Sequence, residues 1–389
     1  MVLIRDCLLF CLKKQKLPIR NFQFVNRTAV VMIIFKGNFE QIGSEYGKAF
    51  TGEIHKNISI LVRREGYEPL PLHDSDFISW RKQQESILSG NWSWLLEEMS
   101  AVAKAVHVDF EDILLLNLRA WQYDFYGNLP QEACSNLAIT LDDGTVACAG
   151  ALDDPVEFYC GPVCFKPDDG YGFITFPITG TSWGNRGMNK KGLSMGISSQ
   201  LLPGLKKLDN TINQDLALRI ILQTCSTVEE VRFFCNEHPF TMNLVCVDAN
   251  GGIFCAHHTA AGLFEIPVED SVAITNHIID DDIKVHLKAL GVSEFPESDA
   301  TYERRKNLID FAQRYNGKCK AEDVQQFISD CDEGNPGSIN RRNKGTVCLT
   351  YSNPQNDPRS LWVMQPYIKN RFDYVNDKFE QFRIPMAVA

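Results

Sequence analysis

Cys134 is the residue whose surroundings best suit chemistry. It opens an apolar run, CSNLAIT, directly after a glycine- and proline-bearing stretch, YGNLPQEA. If the bond before it were cut, Cys134 would become a new N-terminus. A free α-amine has a reference pKa near ~8, far below that of lysine. It would take the thiol's proton at neutral pH, so one residue would supply both nucleophile and base. The alternative reading is a buried strand cysteine, one of thirteen.

Other reactive types are less suggestive. His257 and His258 are adjacent, so on a strand they point to opposite faces and are poorly placed to share a metal. His277 reads as a hydrogen-bonded structural residue. Cys160 and Cys164 form a C-x3-C pair, but no second pair follows at zinc-ribbon spacing. Asp280, Asp281 and Asp282 read as a solvated acidic loop. The run TGTSWGNRGMNKKG lacks the phosphate-loop lysine pattern and reads as a turn between strands. Within it Thr181, Ser182 and Trp183 are alternative candidates for lining a substrate. The aromatic run WQYDFYG before Cys134 would line an acyl pocket or fill the core.

The elements that must position Cys134 change texture around it. Residues 37–133 read as helical. FEQIGSEYGKAFTGEIHKNISILVRR suits one long amphipathic helix, DFISWRKQQESILSGNWSWLLEEMSAVAKAV a second stretch, and VDFEDILLLNLRAWQYDF a third with Asp109 as N-cap. VVMIIF before them looks like a buried strand. From residue 134 apolar runs flank an Asp-Asp-Gly turn, a hairpin signal. YGFITFPITGTSWG and NKKGLSMGISSQ read as strands, 211–238 as helical, 241–276 as strands with an Asn-Gly-Gly turn, and 301–331 as helical. TVCLTYS and RSLWVMQP pair as a last hairpin. Strands and helices in blocks imply an α+β fold with layered antiparallel sheets.

Composition bounds the function. The chain has 389 residues, 44% of them hydrophobic and 23% charged, enough for a large core without disulfide or metal staples. A formal charge of −10 argues against a nucleic-acid or anionic-membrane surface. Thirteen scattered cysteines, an odd number, fit small core residues in a reducing compartment, so a cytoplasmic location is expected. The apolar stretch LLFCL near the start is too short to span a bilayer and lacks a small-residue cleavage site. Residues 1–34 therefore read as an N-terminal extension, with a weak signal anchor as the alternative. No stable membrane insertion is expected.

Several motifs, in order, resemble those of the acyl-coenzyme A:6-aminopenicillanic-acid acyltransferase family, of the N-terminal-nucleophile (Ntn) hydrolase superfamily. Insect N-β-alanyl-dopamine hydrolases are related to the same family. FKGNFEQIGSEYGKAF looks like the family's glycine-spaced helix entry, LLLNLRAWQYDFYG its Leu-Asn-x-Arg helix, and EACSN its Gly-Cys-Thr cleavage motif. GALDDP looks like Asn-Trp-Asp, ITNHIID like Thr-Asn-His, and GSINR, with Ser338, like Ser-Ile-Cys-Arg. RSLWVMQP looks like the closing strand. The resemblance covers roughly residues 35–370.

The resemblance implies an αββα sandwich of two antiparallel sheets between helical layers. It implies cleavage between Ala133 and Cys134, giving a small chain of 133 residues, helical over 35–133 after the extension, and a large chain over 134–389 of 389 − 133 = 256 residues. Cys134 would be the nucleophile and Asp153 would orient it, with Asp154 as the fallback. Asn276 would hold the oxyanion, where one donor is typically worth ~3 kcal/mol. Where the family's namesake has Ser-Arg-Gly this chain has Asn343-Lys344-Gly345, so Lys344 or Arg341 would carry the positive charge, without the planar fork in lysine's case. The implied activity is a self-cleaving amide hydrolase or acyltransferase. Its substrate would be a small N-acyl amide or acyl-CoA thioester, N-β-alanyl-dopamine-type amides included, and it would need no cofactor. The alternatives are a papain-like protease pairing Cys134 with His257 or His277, and an unprocessed, non-catalytic Ntn-fold binding protein.

Overall fold

The computed structural model describes residues 22–23, 32–122, 134–200, 211–259, 262–289, 299–332, 334–341, 345–356, 359–365 and 378–384. Two sheets carry the fold. The larger runs in the order β1 (Phe22–Gln23), β2 (Met32–Gly37), β5 (Val163–Pro167), β6 (Phe173–Thr175), β7 (Gly187–Asn189), β8 (Ser194–Ser198), β9 (Met242–Val247), β10 (Ile253–Thr259), β11 (Gly262–Glu265). The smaller runs β12 (Ser271–Ile274), β3 (Ser135–Thr140), β4 (Val146–Asp153), β13 (Thr346–Ser352), β14 (Leu361–Met364), β15 (Glu380–Phe382). Every pairing is antiparallel except β2 with β5. The expected strand at VVMIIF is thus present, but its parallel partner lies more than a hundred residues on, beyond the reach of local pattern.

Three apolar clusters show how the layers stack. Ala138, Val146, Cys148 and Ile274 of the smaller sheet meet Val245, Val247 and Cys255 of the larger one, so the sheets pack face to face. Leu137, Ile139, Ala149 and Leu349 point the other way, against helices α9 (Ala300–Tyr315) and α10 (Ala321–Ser329). The outer face of the larger sheet is covered by α1 (Phe39–Ala49), α4 (Ser93–Val106), α6 (Gln214–Thr224) and α7 (Val228–Glu237). The order is helix, sheet, sheet, helix. Alternation along β3 generates it: odd residues face the helices and even residues the other sheet.

The helical region departs from expectation at Phe50. The single long helix is three segments, α1, α2 (Thr51–Asn57) and a π-helical turn over Ile58–Val62, and Phe50, with φ −124°, breaks the first from the second. Two further helices, α3 (Ser75–Asn91) and α5 (Phe110–Asn117), complete this layer. Asp109 sits at the N-cap of α5 in extended conformation but makes no side-chain cap bond. The glycine-spaced entry has a packing cause. A Cβ on Gly43 would lie 2.2 Å from the Glu98 carbonyl oxygen, so only glycine lets α1 approach α4 this closely. The acidic run is not a loop either. Asp280 caps α8 (Asp281–Ala289) by accepting from Ile283 N–H at 3.0 Å, and Asp281 and Asp282 sit where the helix dipole favours them.

One ion pair ties α4 to α6 inside this layer. Arg219 donates through Nη1 and Nη2 to the two Glu98 oxygens at 3.2 and 3.0 Å, and both side chains are fully buried. Phe173, Phe165 and Trp94 surround the guanidinium. Burial lowers the arginine's pKa and the glutamate charge holds it up. Arg219→Met should cost about 3–5 kcal/mol, because Glu98 keeps a buried charge without this partner. The double variant Glu98→Leu/Arg219→Met should cost less than Arg219→Met alone. Urea unfolding of the three proteins checks the order, and a double variant weaker than Arg219→Met would refute the buried-charge account.

Candidate active site

Cys134 stands immediately before β3, at the head of an interior strand of the smaller sheet. Ser135 pairs with Ala151, so Leu152 falls opposite Cys134 and Asp153 extends one residue beyond it, on the side of the Cys134 nitrogen. On the other flank Ile274 pairs with Asn136, and continuing that register by two residues sets Asn276 across from Cys134. Cys134 and Asn276 therefore share the face between the sheets. Asp153 belongs to the opposite face of β4. Three residues far apart in the chain meet at one end of one sheet because two antiparallel registers bring them there.

Each has defined partners. The Asn276 side chain donates through Nδ2 to the Ser199 carbonyl at 2.9 Å, and its backbone N–H donates to Thr301 Oγ1 at 3.0 Å. Asp153 Oδ1 accepts from Thr346 Oγ1 at 2.6 Å, while Oδ2 lies 3.8 Å from Arg341 Nη1. Burial pushes the Asp153 carboxyl up, against the pull of the Arg304 and Arg341 charges and the Thr346 hydroxyl. Thr346 in turn accepts from Arg341 N–H at 2.7 Å, so Asp153, Arg341 and Thr346 form one unit. Neighbouring Asp154 accepts from the Tyr159 hydroxyl and lies 4.0 Å from Arg119, which pairs with Asp215 at 2.7 Å.

Two buried arginines at this strand head escaped the sequence reading. Arg304, on α9, donates through Nη1 to the Cys134 carbonyl at 2.7 Å and to Ser135 Oγ at 2.8 Å. Its Nη2 donates to Asn276 Oδ1 at 3.1 Å. Burial lowers its pKa to about 10, with the Asp153 charge opposing, so it stays charged at neutral pH. Arg186 reaches in from the other sheet and donates to Ala151 O at 2.9 Å, Ser135 O at 3.3 Å, Thr350 Oγ1 at 3.2 Å and Asn136 Oδ1. Gly150 makes room for it: a Cβ there would lie 2.9 Å from Arg186 Nη1 and 2.0 Å from the Ser135 oxygen. Arg304 had a readable signal. It occupies the buried stripe Thr301, Arg304, Leu308, Phe311, Ala312, where a charge demands a partner.

Other candidates stand differently. Cys134 is only 2% exposed and packs in the main apolar cluster, which also holds Leu152. Thr181 is buried and donates to Ile178 O at 2.9 Å, within its own turn. That turn is clamped by Asn117, which accepts from Ser182 N–H at 2.7 Å and, through its carbonyl, from Trp183 Nε1 at 2.8 Å. Ser338 spends its hydroxyl on the carbonyls of Asn340 and Asp330, at 3.0 and 3.2 Å. Ala133 and Lys344 lie outside the described residues. A papain-like pairing finds no support. Cys134 leads into a strand, His257 is held between Asn243 Oδ1 at 2.7 Å and Ile279 N–H at 3.1 Å, and His277 stacks on Tyr302. Burial drops both imidazoles to about 3.

This helix–sheet–sheet–helix sandwich carries a cysteine at the head of an interior strand. The profile of the family described as acyl-coenzyme A:6-aminopenicillanic acid acyl-transferase matches residues 157–352, which is 352 − 157 + 1 = 196 of 389. The chain belongs to that family. The match includes Asn276, Arg304 and Arg341 and begins after Cys134 and Asp153. No curated protein matches the sequence. Among solved structures, a penicillin V acylase from Agrobacterium tumefaciens is similar at 13% identity and a TM-score of 0.39, over 61% of this chain and 84% of that one. A conjugated bile acid hydrolase from Clostridium perfringens is similar at 12% and 0.39, over 65% and 97%. A Caenorhabditis elegans N-acylethanolamine-hydrolyzing acid amidase ortholog is similar at 13% and 0.39, over 58% and 94%. Likenesses this loose define neither substrate nor mechanism. Among the described residues no helix is long and apolar enough to cross a membrane.

Proposed function

We propose that the chain is a self-cleaving N-terminal-cysteine amide hydrolase or acyltransferase. The convergence of Cys134, Asn276 and Asp153 at the head of β3 carries this reading. In the first step the Cys134 thiol attacks the Ala133 carbonyl. The C–N bond breaks, the thiol proton ends on the Cys134 nitrogen, and a thioester forms. Water hydrolyses that thioester, leaving a carboxylate on Ala133 and a free thiol and amine on Cys134. The small chain, helical over 35–133, and the large chain 134–389 stay assembled. Asp153, one residue past the strand head, is placed to hold the new α-amine.

Turnover repeats the chemistry on a small N-acyl amide or acyl thioester. The α-amine takes the thiol proton, the thiolate attacks the carbonyl, and the Asn276 amide donates to the oxyanion. The amine then protonates the leaving group, and an acyl-enzyme thioester remains for water or an acceptor amine. Arg341, or Lys344, meets charge on the substrate or assists the cut, and no cofactor is needed. N-β-alanyl-dopamine, an N-acylethanolamine, penicillin V and a conjugated bile acid make the first substrate panel, read by mass. Eleven free thiols among the described residues favour a cytoplasmic site of action.

A denaturing gel and N-terminal sequencing test the reading: two fragments, the larger beginning Cys-Ser-Asn. A chain that stays whole and hydrolyses nothing in the panel would leave the non-catalytic binding protein, which the burial of Cys134 favours. In cut, folded protein, Asn276→Ala should lower kcat by about 10²–10³-fold with little change in KM. Wild-type rates would reduce Asn276 to a structural turn residue.

A further inference from the structure

We infer that Arg304 is the positioning residue that fixes which end of the Asn276 amide faces the reacting carbonyl. The inference rests on the proposed amide chemistry. An asparagine amide has an acceptor end and a donor end of nearly equal shape, and its neighbours decide which points where. On one side of Asn276 is Arg304 Nη2, 3.1 Å from Oδ1, and a guanidinium has only donors. On the other is the Ser199 carbonyl, 2.9 Å from Nδ2, which only accepts. The flipped amide would set donor against donor and acceptor against acceptor in a buried site. The observed orientation leaves the second Nδ2 hydrogen for an oxyanion on the Cys134 side.

The same guanidinium sets the distance as well as the direction. Its Nη1 holds the Cys134 carbonyl at 2.7 Å and Ser135 Oγ at 2.8 Å, so one rigid planar group spans the nucleophile's own backbone and the oxyanion amide. These two partners lie on adjacent strands, two residues past the Ile274–Asn136 pair of the β12–β3 ladder. Arg304 bridges them there. Thr301, one turn earlier on the same helix, anchors the Asn276 backbone N–H at 3.0 Å, so α9 grips both ends of the residue.

A residue that acts through another gives non-additive losses, and a merely structural one does not. Arg304→Met should lower kcat about 10–100-fold on the fastest amide of the panel, with KM within a few-fold. Arg304→Lys should recover part of that loss by keeping one of the two contacts. In the Asn276→Ala background either substitution should cost almost nothing more in kcat. Losses that multiply, or an Arg304→Met enzyme with wild-type kcat, would overturn the inference while leaving the proposed function standing. If Arg304→Met does not fold, the cycle with Arg304→Lys gives the same decision. A wild-type chain inactive on every amide would overturn the proposed function itself, and the inference with it.

Discussion

Cys134→Ala should remain a single chain of 389 residues, where the wild type gives fragments of 133 and 256. Alanine has no nucleophile, so both the cut and the turnover should vanish rather than weaken. Cys134→Ser should cut slowly, because an alcohol gives up its proton far less readily than a thiol. The acyl-enzyme supplies the independent check. Quenched in acid during turnover, the wild type should carry an acyl mass on the peptide beginning Cys134-Ser135-Asn136. The other described thiols are poor competitors: burial pushes Cys160 and Cys164 to about 12 and Cys225 to about 11, so they stay protonated at neutral pH. Because Cys134 is buried in the described structure, the adduct should form only in cut protein. An adduct on another cysteine, with Cys134→Ala still active, would remove Cys134 from the mechanism.

The second large effect is acid lability. His257, His258 and His277 are buried, and burial lowers them to about 3, 4 and 3. Unfolded, each would titrate near ~6.5. A base whose folded pKa is depressed contributes stability above its unfolded pKa and loses it as pH falls. From about pH 6.5 to 5 each histidine should cost about 2 kcal/mol, at 1.36 kcal/mol per pH unit, and the three together about 6. That rivals a typical folding free energy of about 5–15 kcal/mol. Asp153, raised by burial, works with the opposite sign, but it is one group against three. Urea titrations at pH 7, 6 and 5 should show a steep loss, with about three protons taken up on unfolding near pH 5. A flat profile would mean that these rings are solvated.

The sequence made the hairpins legible and hid the register that builds the site. Asp-Asp-Gly and Asn-Gly-Gly announce turns through local backbone demands, and β3–β4 and β9–β10 follow from them. Cys134 entered through its position after a glycine- and proline-bearing stretch, Asp153 and Asn276 through motif resemblance, and pairing then explains why they meet. Arg304 was unread because a helix with three basic residues in succession, Arg304, Arg305 and Lys306, looks solvated until its buried stripe is drawn. Phe50 hid a break for a similar reason: the apolar period runs on through it, and only its backbone angle departs. Strand β2 was seen as a strand but not as a parallel one, since no short-range signal names a distant partner.

That parallel strand bears on what a nick would do to the molecule. β2 precedes the proposed cut and β5 follows it, yet they are hydrogen-bonded neighbours within one sheet. The Arg219–Glu98 pair crosses the same divide. Cutting would sever the covalent link and none of these contacts, so the pieces should leave a sizing column together. Unfolding would be first order, as for any single body. Refolding would become second order, because two separate chains would have to find each other before β2 could be reinserted. Recovery after heat or urea should then depend on protein concentration for the cut form and not for Cys134→Ala. Processing would trade a reversible equilibrium for persistence set by the rate of falling apart.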